Sequence, residues 1–87
     1  MGYKIIYRRQ AVAYLKRLSA ERREHILKSI ERLADDPREP GLDLKALARR
    51  PAFRLRVGHF RVIFERHRDI LLIIVVLIRT RGDVYKR

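Results

Sequence analysis

The chain has 87 residues, no cysteine and a formal net charge of +12. That length predicts one small domain over residues 1–87 with a modest core, and the lack of cysteine excludes a disulfide framework and any thiolate metal site. The longest apolar run, Ile70 to Ile78, is too short to cross a bilayer as a helix, and the N-terminus has no export signal, so a soluble, cytoplasmic protein is expected.

Charge is unevenly placed. Residues 1–43 carry ten Lys/Arg against seven Asp/Glu, a balance of +3, whereas residues 44–87 carry twelve against three, a balance of +9. Seventeen of the basic residues are Arg, the type suited to planar, bidentate contact with phosphate. An acidic partner is implied, either nucleic acid or a negatively charged protein.

Tyr3 to Tyr7 is rich in β-formers and predicts a short first strand. Ala11, Tyr14, Leu15 and Leu18 then share one face of a helix. Ser19 is placed to cap a second helix, along which Ile26, Leu27, Ile30, Leu33 and Ala34 form an i, i+3, i+4, i+7 stripe. Asp35-Asp36-Pro37 ends it, since a residue before proline is pushed out of the α region. The two stripes predict an αα-hairpin laid on a sheet. Pro37 to Gly41 is a loop, and Leu42 to Leu47 is expected to be a partly ordered crossing.

Phe53 to Phe64 alternates apolar and basic residues on both sides of Gly58-His59. That pattern predicts a β-hairpin with a two-residue turn, pairing Val57 with Phe60, Arg56 with Arg61 and Leu55 with Val62. Phe53, Leu55, Val57, Phe60, Val62 and Phe64 then face the core, and Arg54, Arg56 and Arg61 face away. Like charges directly opposite on an antiparallel pair are destabilising, so this arrangement points to an anion between them. After a turn around His67-Arg68-Asp69, Ile70 to Ile78 is apolar throughout, as for a strand covered on both faces. The whole gives an α+β domain, β-α-α-β-β-β, with an antiparallel-dominated sheet and the αα-hairpin on one face.

No metal-ligand spacing, Gly-rich phosphate loop or nucleophile elbow is present, and His25, His59 and His67 fall on a helix, a turn and a loop. No metal or cofactor is therefore expected. The chemistry available is a cluster of fixed cations with one phenol, Tyr85. Arginine suits stabilisation of a phosphorane-like transition state, and metal-free RNA cleavage needs the 2′-hydroxyl deprotonated and the 5′-oxygen protonated. Tyr85 and His59 are both open as the group that takes the proton.

These stretches resemble the RelE toxins of the RelE/ParE superfamily of bacterial and archaeal toxin–antitoxin pairs. The likeness runs over nearly the whole chain: Tyr3-Lys4-Ile5-Ile6-Tyr7, two helices, Leu44-Lys45-Ala46-Leu47, the hairpin with Phe60-Arg61-Val62-Ile63-Phe64, and the ending Arg79-Thr80-Arg81-Gly82-Asp83-Val84-Tyr85. The resemblance implies the microbial-RNase-like fold and a ribosome-dependent endoribonuclease that cuts mRNA in the A site by 2′-hydroxyl attack. It assigns Arg61 to the scissile phosphate, Arg79 to the leaving group or phosphate, and Tyr85 to stacking on a base. Arg54, Arg56, Arg81 and Lys45 become further substrate contacts. Ala52 stands where relatives carry a lysine proposed as general base, a departure from the pattern. Implied partners are a RelB-like antitoxin, acidic and partly disordered, and the ribosome with its rRNA and A-site mRNA, with operator DNA reached only through the antitoxin. The ParE branch of the same superfamily, whose members inhibit DNA gyrase, is the alternative, and a noncatalytic nucleic-acid-binding relative is the third.

Overall fold

The computed structural model describes residues 2–38, 40–49 and 51–80. The elements in chain order are β1 (Lys4–Tyr7), α1 (Arg9–Lys16), α2 (Ala20–Asp35), β2 (Asp43–Ala46), β3 (Ala52–Val57), β4 (Phe60–His67) and β5 (Leu72–Thr80). The strands form one sheet in the order β1-β5-β4-β3-β2. Neighbours are antiparallel except β1 and β5, which run parallel. The α+β class and the αα-hairpin on one face are as expected.

Local chemistry accounts for the helices. Ser19 accepts a hydrogen bond from the Arg22 backbone N–H at 3.3 Å, satisfying one of the orphan donors at the start of α2. Arg23 closes the preceding turn: its Nε and Nη2 donate to the carbonyls of Leu15 (3.0 Å) and Leu18 (2.9 Å). At the other end of α2, Asp36 is extended (φ −152°), as Pro37 requires.

The helix stripes meet the sheet in one core. Ala11 and Leu15 of α1 and Ile26, Ile30, Leu33 and Ala34 of α2 are buried, as are Leu55, Val57, Val62, Phe64, Ile73, Val75 and Ile78 from the strands. Burying a side chain such as Phe64 contributes about 1.5–3 kcal/mol, so this cluster is the main source of stability. Phe53 stacks on Phe64 with ring centroids 5.5 Å apart, and the Arg66 guanidinium lies 4.5 Å above the Phe53 ring. α1 lies against β5, and α2 lies against β3.

The structure departs from expectation in two places. Residues 43–46 are a strand, not a loose crossing, so the order is β-α-α-β-β-β-β. Leu42 and Leu44 pack on the core while Asp43 is exposed, so the segment follows a two-residue period that its good helix formers conceal. The run from Ile70 to Ile78 is not covered on both faces. Ile70 and Leu71 are exposed in the β4–β5 turn, where Leu71 takes a positive φ of 51°. Within β5 only Ile73, Val75 and Ile78 are fully buried.

A register shift explains the spacing of those three. Ile63 pairs with Leu77 but Phe64 pairs with Val75, leaving Val76 as an extra residue in β5. The bulge reverses which parity of residue faces the core, so Val75 and Ile78 both point to the helices. Arg79 is thereby turned to the opposite face.

Candidate functional site

The face of the sheet away from the helices holds the expected cations in two rows. Cα pairing runs Asp43–Arg56, Arg56–Arg61 and Arg61–Arg79, a single row across β2, β3, β4 and β5. The neighbouring row runs Lys45–Arg54, Arg54–Ile63 and Ile63–Leu77. All five expected cations of the described residues, Lys45, Arg54, Arg56, Arg61 and Arg79, are thus placed in adjacent rows near the hairpin turn. Arg81 and Tyr85, which complete the expected site, lie outside the described residues.

The hairpin expectation holds in register: Val57 opposes Phe60, Arg56 opposes Arg61 and Leu55 opposes Val62. Gly58 makes the turn at φ 59°, a conformation that suits glycine at the first of the two turn positions. The turn borders a recess of about 160 Å³ lined by Arg56, Gly58, His59, Phe60 and Arg61. His59 is therefore next to the central arginine of the row.

The electrostatics are lopsided. Directly opposed Cα atoms stand about 5 Å apart, and like charges so opposed are destabilising. Asp43 relieves one end: its carboxylate lies 3.9 Å from Arg56 Nε and 3.5 Å from Arg54 Nη2. Arg54 is more enclosed than Arg56, and its Nε is buried with no hydrogen-bond partner among the described residues. Arg79 relieves the other end differently. Its guanidinium lies 5.6 Å over the ring of Tyr14, and Nη1 donates to the Ile78 carbonyl at 2.8 Å. Glu65 is four residues from Arg61 on β4, about 13 Å along the strand, and engages His67 at 3.0 Å. No described carboxylate other than Asp43 stands in the arginine row.

Beside the two rows the same face carries an apolar strip, with Lys4, Glu65 and His67 beyond it. Ile63, Ile74 and Leu77 are half-buried there, and Ile6, the Cα partner of Ile74, is 46% exposed. No described helix packs on it. Sequence reasoning missed Tyr14 as part of the site, because its spacing with Ala11, Leu15 and Leu18 marks only a core stripe. Among the described residues no three His, Asp or Glu side chains converge as metal ligands, and no helix is long and apolar enough to cross a membrane.

Comparisons with known proteins agree with this geometry. The family model described as the ParE toxin of the type II toxin–antitoxin system matches residues 5–85. A putative RelE-like toxin protein of Escherichia coli is 26% identical over 87 residues, covering 98% of this chain and 92% of that protein. Among solved structures, the archaeal RelE–RelB complex from Pyrococcus horikoshii OT3 superposes with a TM-score of 0.81 at 23% identity, covering 94% of this chain and 98% of that one. The isolated E. coli RelE toxin gives a TM-score of 0.72 at 17% identity over 95% of this chain and 90% of that one.

Proposed function

The chain belongs to the ParE toxin family of type II toxin–antitoxin systems, and from that premise we propose that it is a ribosome-dependent, metal-independent endoribonuclease of the RelE kind. The observation that carries this reading is the in-register row Arg56–Arg61–Arg79, three arginines at directly opposed positions with a carboxylate at one end only. A sheet gains no stability from such a row, and a polyanion crossing it would gain a great deal.

The chemistry follows from the placement. The substrate 2′-oxygen attacks phosphorus, the bond from phosphorus to the 5′-oxygen breaks, and a 2′,3′-cyclic phosphate and a 5′-hydroxyl result. Arg61, at the centre of the row, holds the nonbridging oxygens as charge builds on them. Arg79, at the β5 end, stabilises charge on the leaving 5′-oxygen, which takes its proton from water. Lys45, Arg54, Arg56 and Arg81 contact flanking phosphates, and Tyr85 stacks on a base. His59 or Tyr85 takes the 2′ proton. A His59→Ala and Tyr85→Phe pair, each assayed for the chemical step, assigns it. The ribosome supplies the substrate alignment that a cluster of cations alone does not.

The proposed partner in the resting cell is a RelB-like antitoxin, an acidic segment covering the cationic rows and the apolar strip beside them. The superposition on RelE of the RelE–RelB complex supports that pairing. Contact with operator DNA would run through the antitoxin.

The decisive experiment is cleavage of an mRNA with and without programmed ribosomes, comparing the wild type with Arg61→Ala. Cuts in the A-site codon that require both the ribosome and Arg61 are the expected result. The family match itself favours a second reading, inhibition of DNA gyrase. Growth arrest with DNA damage, no mRNA cuts and no dependence on Arg61 would replace the first reading with the second.

A further inference from the structure

Arg79 is directly opposite Arg61, yet its guanidinium is drawn to Tyr14, a residue of α1 on the helix side of the sheet. The pairing of β5 with β1 ends at Tyr7 and Val75, so among the described residues no strand flanks residues 76–79 on that side. The Ile78 carbonyl accepts from Arg79 Nη1 at 2.8 Å. The ring of Tyr14 is itself fixed, since Phe60 meets it edge-on at 6.4 Å and 80°. Phe60 is the chain neighbour of Arg61, so one hairpin strand carries both the central arginine and the buttress of the ring.

The two ends of the arginine row are therefore held by different chemistry. Asp43 holds Arg56 by cancelling its charge. Tyr14 holds Arg79 through the face of a neutral ring, which fixes the cation and leaves its full charge available. A cation placed in advance where negative charge will develop needs no reorganisation at the moment of reaction.

We propose that Tyr14 is a positioning residue for Arg79, its ring face stationing the guanidinium beside β5, on the leaving-group side of a phosphodiester held by Arg61. The catalytic half of this inference rests on the nuclease reading. The station itself does not.

The test uses the full chain with Tyr14→Phe and Tyr14→Leu, read in two ways. The first is the Arg79 Nε–Hε resonance, which a ring face shifts upfield and shields from exchange. The second is single-turnover mRNA cleavage on programmed ribosomes, with kcat and KM measured separately. Tyr14→Phe should keep the shifted resonance and the wild-type rate. Tyr14→Leu should lose the shift and slow the chemical step about tenfold, less than outright loss of a transition-state donor costs, with KM unchanged. In an Arg79→Ala background it should slow nothing further. A Leu variant as fast as wild type, a Phe variant as slow as Leu, or the same slowing without Arg79 would overturn the positioning role. An unshifted Arg79 resonance in the wild type would overturn the station whatever the cleavage result. A shifted resonance in a protein that cuts no mRNA would instead sink the nuclease reading and leave the station standing.

Discussion

Arg61 of β4 and Arg79 of β5 are direct cross-strand partners, two fixed cations at a spacing that an antiparallel sheet ordinarily gives to opposite charges or apolar pairs. Arg61 has a second arginine, Arg56, opposite it on the other side. The central residue of the row is thus flanked on both neighbouring strands by like-charged residues, an arrangement that opposes folding.

Replacing it should therefore separate stability from function. Arg61→Gln is expected to raise the unfolding free energy by about 0.2–1 kcal/mol, the range for a cross-strand pair, while abolishing RNA cleavage. Urea denaturation and a cleavage assay on the same preparation check both. Lower stability would mean that Arg61 has an attractive partner in the row.

Asp43 restrains the other end. Its carboxylate is half-exposed, so its pairs with Arg54 and Arg56 contribute at most about 1 kcal/mol to folding. Asp43→Asn should leave the fold intact and release two cations. Binding to single-stranded RNA should tighten at low salt, and its log–log salt slope should steepen by about 0.7 per cation released. An unchanged slope would show that Arg54 and Arg56 already face the RNA fully charged.

Arg23 holds the α1–α2 turn by donating to two carbonyls. Hydrogen bonds from a charged donor contribute about 1.5–3 kcal/mol each at the upper end of their range, and part-burial lowers this. Arg23→Ala is expected to cost about 2 kcal/mol in total, a fall of roughly 8–16 °C in Tm for a domain of this size. Arg23→Lys should recover part of it, since one ammonium cannot span both carbonyls. Thermal unfolding followed by circular dichroism measures each.

Tyr7 predicts an alkaline limit. Burial raises the pKa of its phenol above the usual 10.0, with the negative charge of Glu31 adding to the effect. A raised folded-state pKa means that the native state keeps its proton where the unfolded chain has lost it. The contribution is fully present below pH 10 and is lost as pH rises through the folded-state value. Stability measured from pH 9 to 11 should fall less steeply in Tyr7→Phe than in the wild type. Identical slopes would place the alkaline loss on other groups.

Much of this architecture was legible from residue order because two periods are clean. The hairpin register followed from strict alternation around Gly58-His59, and α2 from its stripe between Ser19 and Pro37. Three features were hidden for physical reasons. Leu42 to Leu47 is made of good helix formers, and only pairing with β3 makes it a strand. The run before Arg79 is apolar on both faces because Ile74 and Leu77 line the uncovered side, so it shows no alternation from which a bulge could be read. Tyr14 is spaced like a core residue, and its contact with Arg79 joins α1 to the end of β5, a tertiary fact. Of the expected site, Arg81 and Tyr85 fall outside the described residues.

The extra residue at Val76 has a meaning beyond the shape of the sheet. It makes the location of Arg79 a matter of counting: with one residue fewer in β5, the same arginine would be handed to the helix side and Ile78 to the outside, with every side chain of the row still present in the chain. Insertions and deletions between Val75 and Ile78 should therefore be tolerated far less than substitutions at the same positions. In lineages of this protein, length in that short interval should be kept even where the apolar residues filling it drift.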